Sequence, residues 1–161
     1  MRTTFFSIFV LCNSLTLSAQ DSNPLQPFEY LIGGEWTTQT TVQIFEWGVG
    51  NKSVYSRLYV KNGSDTTLSG EITWFWHPGE KQIKGYGHLV SNQLSFFDYT
   101  SKFTHPTRMD NIVLGYNNTP VSVPIFESIE FIDENTYRWT MYENVLNDLK
   151  PLMNLDFKRK N

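Results

Sequence analysis

Across residues 36–157, apolar and polar side chains alternate with a period of two. Turn-forming residues interrupt the pattern about every ten positions, the spacing of successive β-strands. Leu68, Gly70, Ile72, Trp74 and Trp76 alternate with Ser69, Glu71, Thr73, Phe75 and His77. Val54, Leu58 and Val60 share a face opposite Tyr55, Arg57 and Tyr59; Ile83, Gly85, Gly87 and Leu89 face away from Lys84, Tyr86 and His88. Further strands fall at 94–103, 111–116, 125–132, 136–144 and 152–159. Between 37 and 47 the inward set switches from Val42 and Ile44 to Phe45 and Trp47, which predicts a bulged strand. Phe28, Leu31 and Ile32 have the spacing of one helical turn, stopped by Gly33 and Gly34. Met141, Val145 and Leu149 have helical spacing too, but Pro151 and the Asn147-Asp148 pair favour strand, turn, strand.

The links at 61–65, 77–80, 91–93 and 133–135 are short and rich in Asn, Gly, Pro and Asp, as hairpins require. A meander of hairpin-linked strands leaves two raw edges unless it closes on itself. The predicted fold is therefore all-β: one antiparallel meander of about eight to ten strands closed into a barrel, with a short helical turn before the first strand. Gly85 and Gly87 suit a strand that bends at a barrel corner. A two-sheet sandwich is the alternative, but it needs longer connections than these hairpins offer.

Residues 1–19 stand apart. Arg2 supplies one positive charge, residues 5–12 are apolar apart from Ser7, and a small residue, Ala19, ends the stretch, as in a secretory signal peptide. The run is too short for a stable span, which takes about 20 apolar residues. The competing idea, a lipid anchor on Cys12, conflicts with Leu11 where a small residue is wanted. Cleavage after Ala19 leaves a single domain, 20–161, exported to a periplasm or beyond the cell and without a stable membrane anchor. Its net charge falls from −3 to −4 with the loss of Arg2, and its only cysteine goes as well. That acidic balance lacks the basic stripe of a nucleic-acid partner. The lost cysteine excludes disulfides and thiolate chemistry from the mature domain.

Phe28-Glu29-Tyr30-Leu31-Ile32 followed by Gly34-Glu35-Trp36 resembles the opening of lipocalin-like (calycin) barrels, a helical turn and then Gly-x-Trp. Together with Phe45-Glu46-Trp47, the run from Trp74 to Lys81, Thr136-Tyr137-Arg138-Trp139 and Phe157-Lys158-Arg159, the chain resembles a family of secreted bacterial lipocalin-like proteins of unknown function. More distantly it is similar to nitrobindins, ten-stranded barrels that hold haem. The resemblance covers nearly the whole mature chain. It implies that Trp36 plugs the closed end beneath an arginine, either Arg159 or Arg138, with Gly34, Trp36 and Arg159 expected to close the base. It carries no activity with it.

Haem would need an axial histidine aimed into the cavity. His77 and His88 fall in the outward set, His105 precedes Pro106 in a loop, and the late-strand position where the resemblance to nitrobindins implies the ligand reads Arg138, Trp139, Thr140. No cofactor is expected, with haem the minor alternative, and three scattered histidines predict no metal site. No Gly-x-Ser-x-Gly nucleophile motif occurs. An acid/base group is harder to dismiss: Glu71, Tyr86, His88 and Asp98 lie on neighbouring strands, and Asp98 alternates with Leu94 and Phe96, which predicts an inward carboxylate paired with Arg57 or Tyr59.

The aromatic excess is the most informative feature. Trp74, Trp76, Phe96, Phe131 and Trp139, with Met141, fall on apolar faces, as for a cavity that takes a flat or apolar ligand. Tyr59 and Asp98 complete the expected contacts as polar tips. The expectation is an exported carrier of a small hydrophobic or aromatic molecule, a monomer or weak homodimer, that does not transform its ligand. The alternatives are a cyclase- or isomerase-type enzyme using an inward carboxylate, and a non-catalytic envelope or surface-interaction protein with a solid core.

Overall fold

A computed structural model describes residues 23–91, 93–117, 119–145 and 148–160. The signal-peptide reading of 1–19, Cys12 included, lies outside the described residues. After a 3-10 turn at Gln26–Tyr30 come ten strands. They are β1 (Glu35–Thr37), β2 (Thr41–Trp47), β3 (Ser53–Asn62), β4 (Asp65–His77), β5 (Gln82–Leu89), β6 (Phe96–His105), β7 (Arg108–Tyr116), β8 (Ser122–Asp133), β9 (Thr136–Val145) and β10 (Asp148–Lys160). Each pairs antiparallel with its neighbours in sequence, and β1 pairs with β10, so the sheet is a closed ten-stranded barrel. Closure gives both end strands a partner, which a sandwich does not do.

The seam is short. Glu35 faces Lys160, Trp36 faces Arg159 and Thr37 faces Lys158. Gly34 enters β1 at φ +73, a left-handed conformation that a glycine adopts without strain. The Arg159 guanidinium carbon lies 4.4 Å from the centre of the Trp36 indole ring, and the guanidinium donates to the Tyr30 carbonyl. Trp36 in turn donates from Nε1 to the Leu31 carbonyl at 2.8 Å. Arg138 instead pairs with Asp156 at 2.7 Å.

The bulge expected between 37 and 47 is absent. Residues 37–47 form two strands, divided where the Thr38 hydroxyl accepts from the backbone N–H groups of Thr40 and Thr41. β2 then pairs with β3 in unbroken register from Thr41↔Val60 to Trp47↔Val54. Gln43, Phe45 and Trp47 point inward throughout, and Val42 is buried on the outer face. Bulges fall instead at Leu58/Tyr59, Phe103/His105, Phe131/Asp133 and Pro151/Met153.

The base is packed with aromatic rings. Leu25, Phe28 and Leu31 of the 3-10 segment are at most 1% exposed. Phe28 lies 5.5 Å from Trp74 and meets Phe103 edge-on at 5.4 Å. Phe45, Tyr137 and Phe157 continue the stack, with Tyr137 and Phe157 parallel at 4.7 Å. Gly85, opposite Trp74, makes room: a Cβ there would sit 2.7 Å from the Thr73 carbonyl oxygen and 3.0 Å from Trp74 Cδ1. The glycines of β5 thus seat the large rings of β4 and β6 against the backbone.

Candidate functional site

Directly opposed residues on paired strands point to the same face, so the register defines rows around the barrel. One inward row reads Ile83, Ser101, Asn111, Glu127, Met141, Met153. Its middle members are small or polar, in contrast to the aromatic rows near the base. A half-open cavity of about 970 Å³ borders this row, lined by Pro24, Pro27, Trp76, Ile83, Phe103 and Glu127 and also by outer-face residues, among them Thr100, Lys102, Asp110, Ile112, Phe126 and Tyr142.

Glu127 is held from two sides. Asn111 Nδ2 donates to Oε1 at 2.9 Å, and Trp139 Nε1 donates to Oε2 at 2.8 Å. Its side chain keeps some solvent access, through the cavity it borders, while the surrounding wall takes away much of its hydration. That desolvation raises the carboxyl above its ordinary value, against the pull of the bonds from Trp139 and Asn111. Burial pushes the Tyr99 and Tyr137 hydroxyls well up, and the nearby Glu127 charge adds to the effect. Among the described residues no cation pairs with Glu127. Arg108, which also borders the cavity, is bound to Asp110 at 2.8 Å and to the Tyr142 hydroxyl at 3.0 Å.

Two further polar atoms in this row lack partners. Asn111 Oδ1 and Ser101 Oγ are buried and make no hydrogen bond. Trp74 Nε1, nearer the base, is buried without an acceptor as well. Unsatisfied buried polar groups are uncommon and carry a free-energy cost.

The expected ligand-lining residues divide. Trp74, Trp76, Phe131, Trp139 and Met141 face inward, but of these Trp76 alone is among the cavity's lining residues. Trp74 and Phe131 are core, Phe131 stacking on Tyr30 at 5.2 Å, while Trp139 holds Glu127. Phe96 is a correction: it lies on the outer face, edge-on to His88 at 5.1 Å and beside Tyr116. Asp98 is a second correction, exposed on the same outer face between Phe97 and Tyr99, which are the inward residues. Tyr59 is a third, bordering a separate groove with Glu35, Val42 and Ile44 rather than the barrel interior. Glu71 lies directly opposite His88 and Tyr86 opposite Asp98, so these four residues meet across neighbouring strands, but on the exposed outer face and not in the barrel interior.

The inward carboxylate is Glu127, which the sequence reading missed. Its signal is a charged residue in the apolar row Ile125, Glu127, Ile129, Phe131; the opposite row, Phe126, Ser128, Glu130, Ile132, is equally mixed and hides it. Among the described residues no three His, Cys, Asp or Glu side chains gather as metal ligands would. In comparison with known proteins, no family model matches the chain and no curated protein matches it in sequence.

Proposed function

We infer that this protein is a small-molecule carrier of the lipocalin-like (calycin) kind, which holds a flat, apolar ligand inside its barrel after export. The observation that supports the reading is a closed ten-stranded sheet bordered by a half-open cavity of about 970 Å³, whose lining mixes Trp76, Phe103 and Ile83 with polar side chains, Glu127 among them. Rigid aromatic walls supply apolar area at little entropic cost, and the polar side chains fix orientation. Export rests on the sequence of residues 1–19. Mass spectrometry of the natively purified mature protein tests both parts: a co-purifying small molecule and an N-terminus at Gln20 support the reading. An empty barrel, and tryptophan fluorescence unmoved by any apolar probe, count against it.

A second reading is favoured by one observation, the inward Glu127 with its raised carboxyl. Such a group can take a proton from a bound substrate, as cyclases and isomerases require. Conversion of the co-purified molecule to a product, lost in Glu127→Gln, decides for this reading.

A further inference from the structure

We propose that the end of the barrel opposite the 3-10 segment rests reversibly on a zwitterionic phospholipid bilayer, with aliphatic side chains of its rim dipped among the headgroups. The inference goes beyond the carrier reading and does not depend on the cavity.

Strict antiparallel order divides the connections between the two ends of the barrel. Those at 38–40, 63–64, 90–95, 117–121 and 146–147 belong to the far end, and those at 48–52, 78–81, 106–107 and 134–135 to the base. No charged residue occurs in the sequence of the five far connections, whereas the base connections hold Lys52, Glu80, Lys81 and Glu134. Exposed aliphatic side chains gather where the charge is missing. Val90 and Val121, on the far connections themselves, are 85% and 69% exposed. Leu68, Val123, Leu149 and Leu152 stand exposed on the adjoining stretches of β4, β8 and β10. Because the sheet is a ring, these six side chains are spread around one rim.

The chemistry of that rim selects its occupant. Exposed apolar residues in a charge-depleted surface mark contact with an apolar phase. All six are Val or Leu, types under-represented among the hot spots of protein interfaces, which favour Trp, Tyr and Arg. Between them Ser64, Ser91 and Thr119 offer uncharged hydrogen-bonding groups, suited to the wet headgroup layer above an apolar one. The nearest charges balance: Lys61 lies near Asp65 in the chain and Asp148 near Lys150, and the Lys61 ammonium already donates to the Thr38 carbonyl at 2.7 Å. That leaves no basic cluster of the kind that seeks anionic lipid. Arg57, Glu71, Lys84 and Asp110 stand on the outer face of the wall, so the bilayer meets the end of the barrel and does not encircle it.

The test mixes the mature protein with extruded vesicles of phosphatidylcholine, or of phosphatidylcholine with phosphatidylglycerol, and reads the bound fraction by sedimentation. Binding to phosphatidylcholine is expected, with the lipid concentration for half binding agreeing within about twofold between the two compositions and between low and high salt. Val90→Asp and Val121→Asp should each raise that concentration about tenfold or more, with the circular dichroism of wild type. Val49→Asp, at a valine 89% exposed at the base, should leave it unchanged. The proposal is overturned by absence of binding to phosphatidylcholine, by binding that needs phosphatidylglycerol and vanishes at high salt, or by an equal loss in Val49→Asp. A concentration-dependent dimer in sedimentation velocity that Val90→Asp dissolves overturns it too, by assigning the rim to a second copy. The carrier reading survives each of these results, because a co-purifying molecule decides it separately.

Discussion

Trp36 and Arg159 are directly opposed across the β1–β10 seam, with the guanidinium 4.4 Å over the indole ring. Sheet closure and the packing of the base are thus one contact. Arg159 also ties the seam to the 3-10 segment through the Tyr30 carbonyl, and Trp36 does so through the Leu31 carbonyl. Arg159→Ala should lower stability by about 2 kcal/mol, from a shielded cation–π contact and a charged hydrogen bond. Arg159→Lys keeps the charge but loses the planar fork, and should recover less than half of that. Urea unfolding of the two variants checks both figures.

Phe28 fills the base from outside the sheet. Phe28→Ala removes the ring that meets Trp74 and Phe103, and should cost about 3–5 kcal/mol, the range for a fully buried phenylalanine. The urea midpoint should fall accordingly, with the far-ultraviolet circular dichroism of the folded state unchanged.

Gly85 is tested by adding one methyl group. Gly85→Ala places a carbon 2.7 Å from the Thr73 carbonyl oxygen, which is backbone and cannot turn aside. An overpacking cost of about 1–3 kcal/mol is expected, read as a drop in the thermal midpoint. A midpoint equal to wild type would mean that β4 and β5 separate more easily than their pairing indicates.

The pH dependence of stability follows from Glu127. Its carboxyl is raised in the folded state by desolvation, so the fold holds a proton that the unfolded chain releases. Stability is then highest where the group is protonated in both states, and falls as pH rises from the ordinary value near 4.5 through the raised one. Tyr99 and Tyr137, the other titratable groups beside it, ionise only far above neutrality. In Glu127→Gln the Asn111 amide turns over, so that Trp139 donates to the new carbonyl and the new amide donates to Asn111 Oδ1. Above the ordinary carboxyl range the variant's thermal midpoint should stay level where that of wild type declines.

Asp98→Asn and Tyr59→Phe supply the contrast. Both side chains lie outside the barrel interior, so each should change stability by no more than about 0.5 kcal/mol and leave the affinity for cavity probes unaltered.

Strand number and closure were legible in the chain, because period-two patterning and short turns leave few alternatives, whereas the pairing of Trp36 with an arginine was implied by the resemblance to lipocalin-like barrels. Side-chain direction was less so where both faces carry rings. In β6 the sequence Leu94-Ser95-Phe96-Phe97-Asp98-Tyr99 permits either assignment. Leu94 does reach the core, but from ahead of the strand: β6 begins only at Phe96, and the irregular backbone at Leu94 and Ser95 shifts the alternation by one residue. Phe97 and Tyr99 therefore take the interior that Phe96 and Asp98 were expected to occupy. Glu127 was illegible for a related reason. β8 alternates two nearly equal sets, and only its neighbours' register reveals which set looks inward.

β1 contributes only three residue pairs to the seam, whereas β3 and β9 run ten residues each. A ring fastened over so short a length has a built-in weakest link. Amide protons of residues 35–37 and 158–160 should exchange with deuterium before those of any other paired stretch. Unzipping there would turn a self-contained molecule into one with two bare ends, ready to add to another copy.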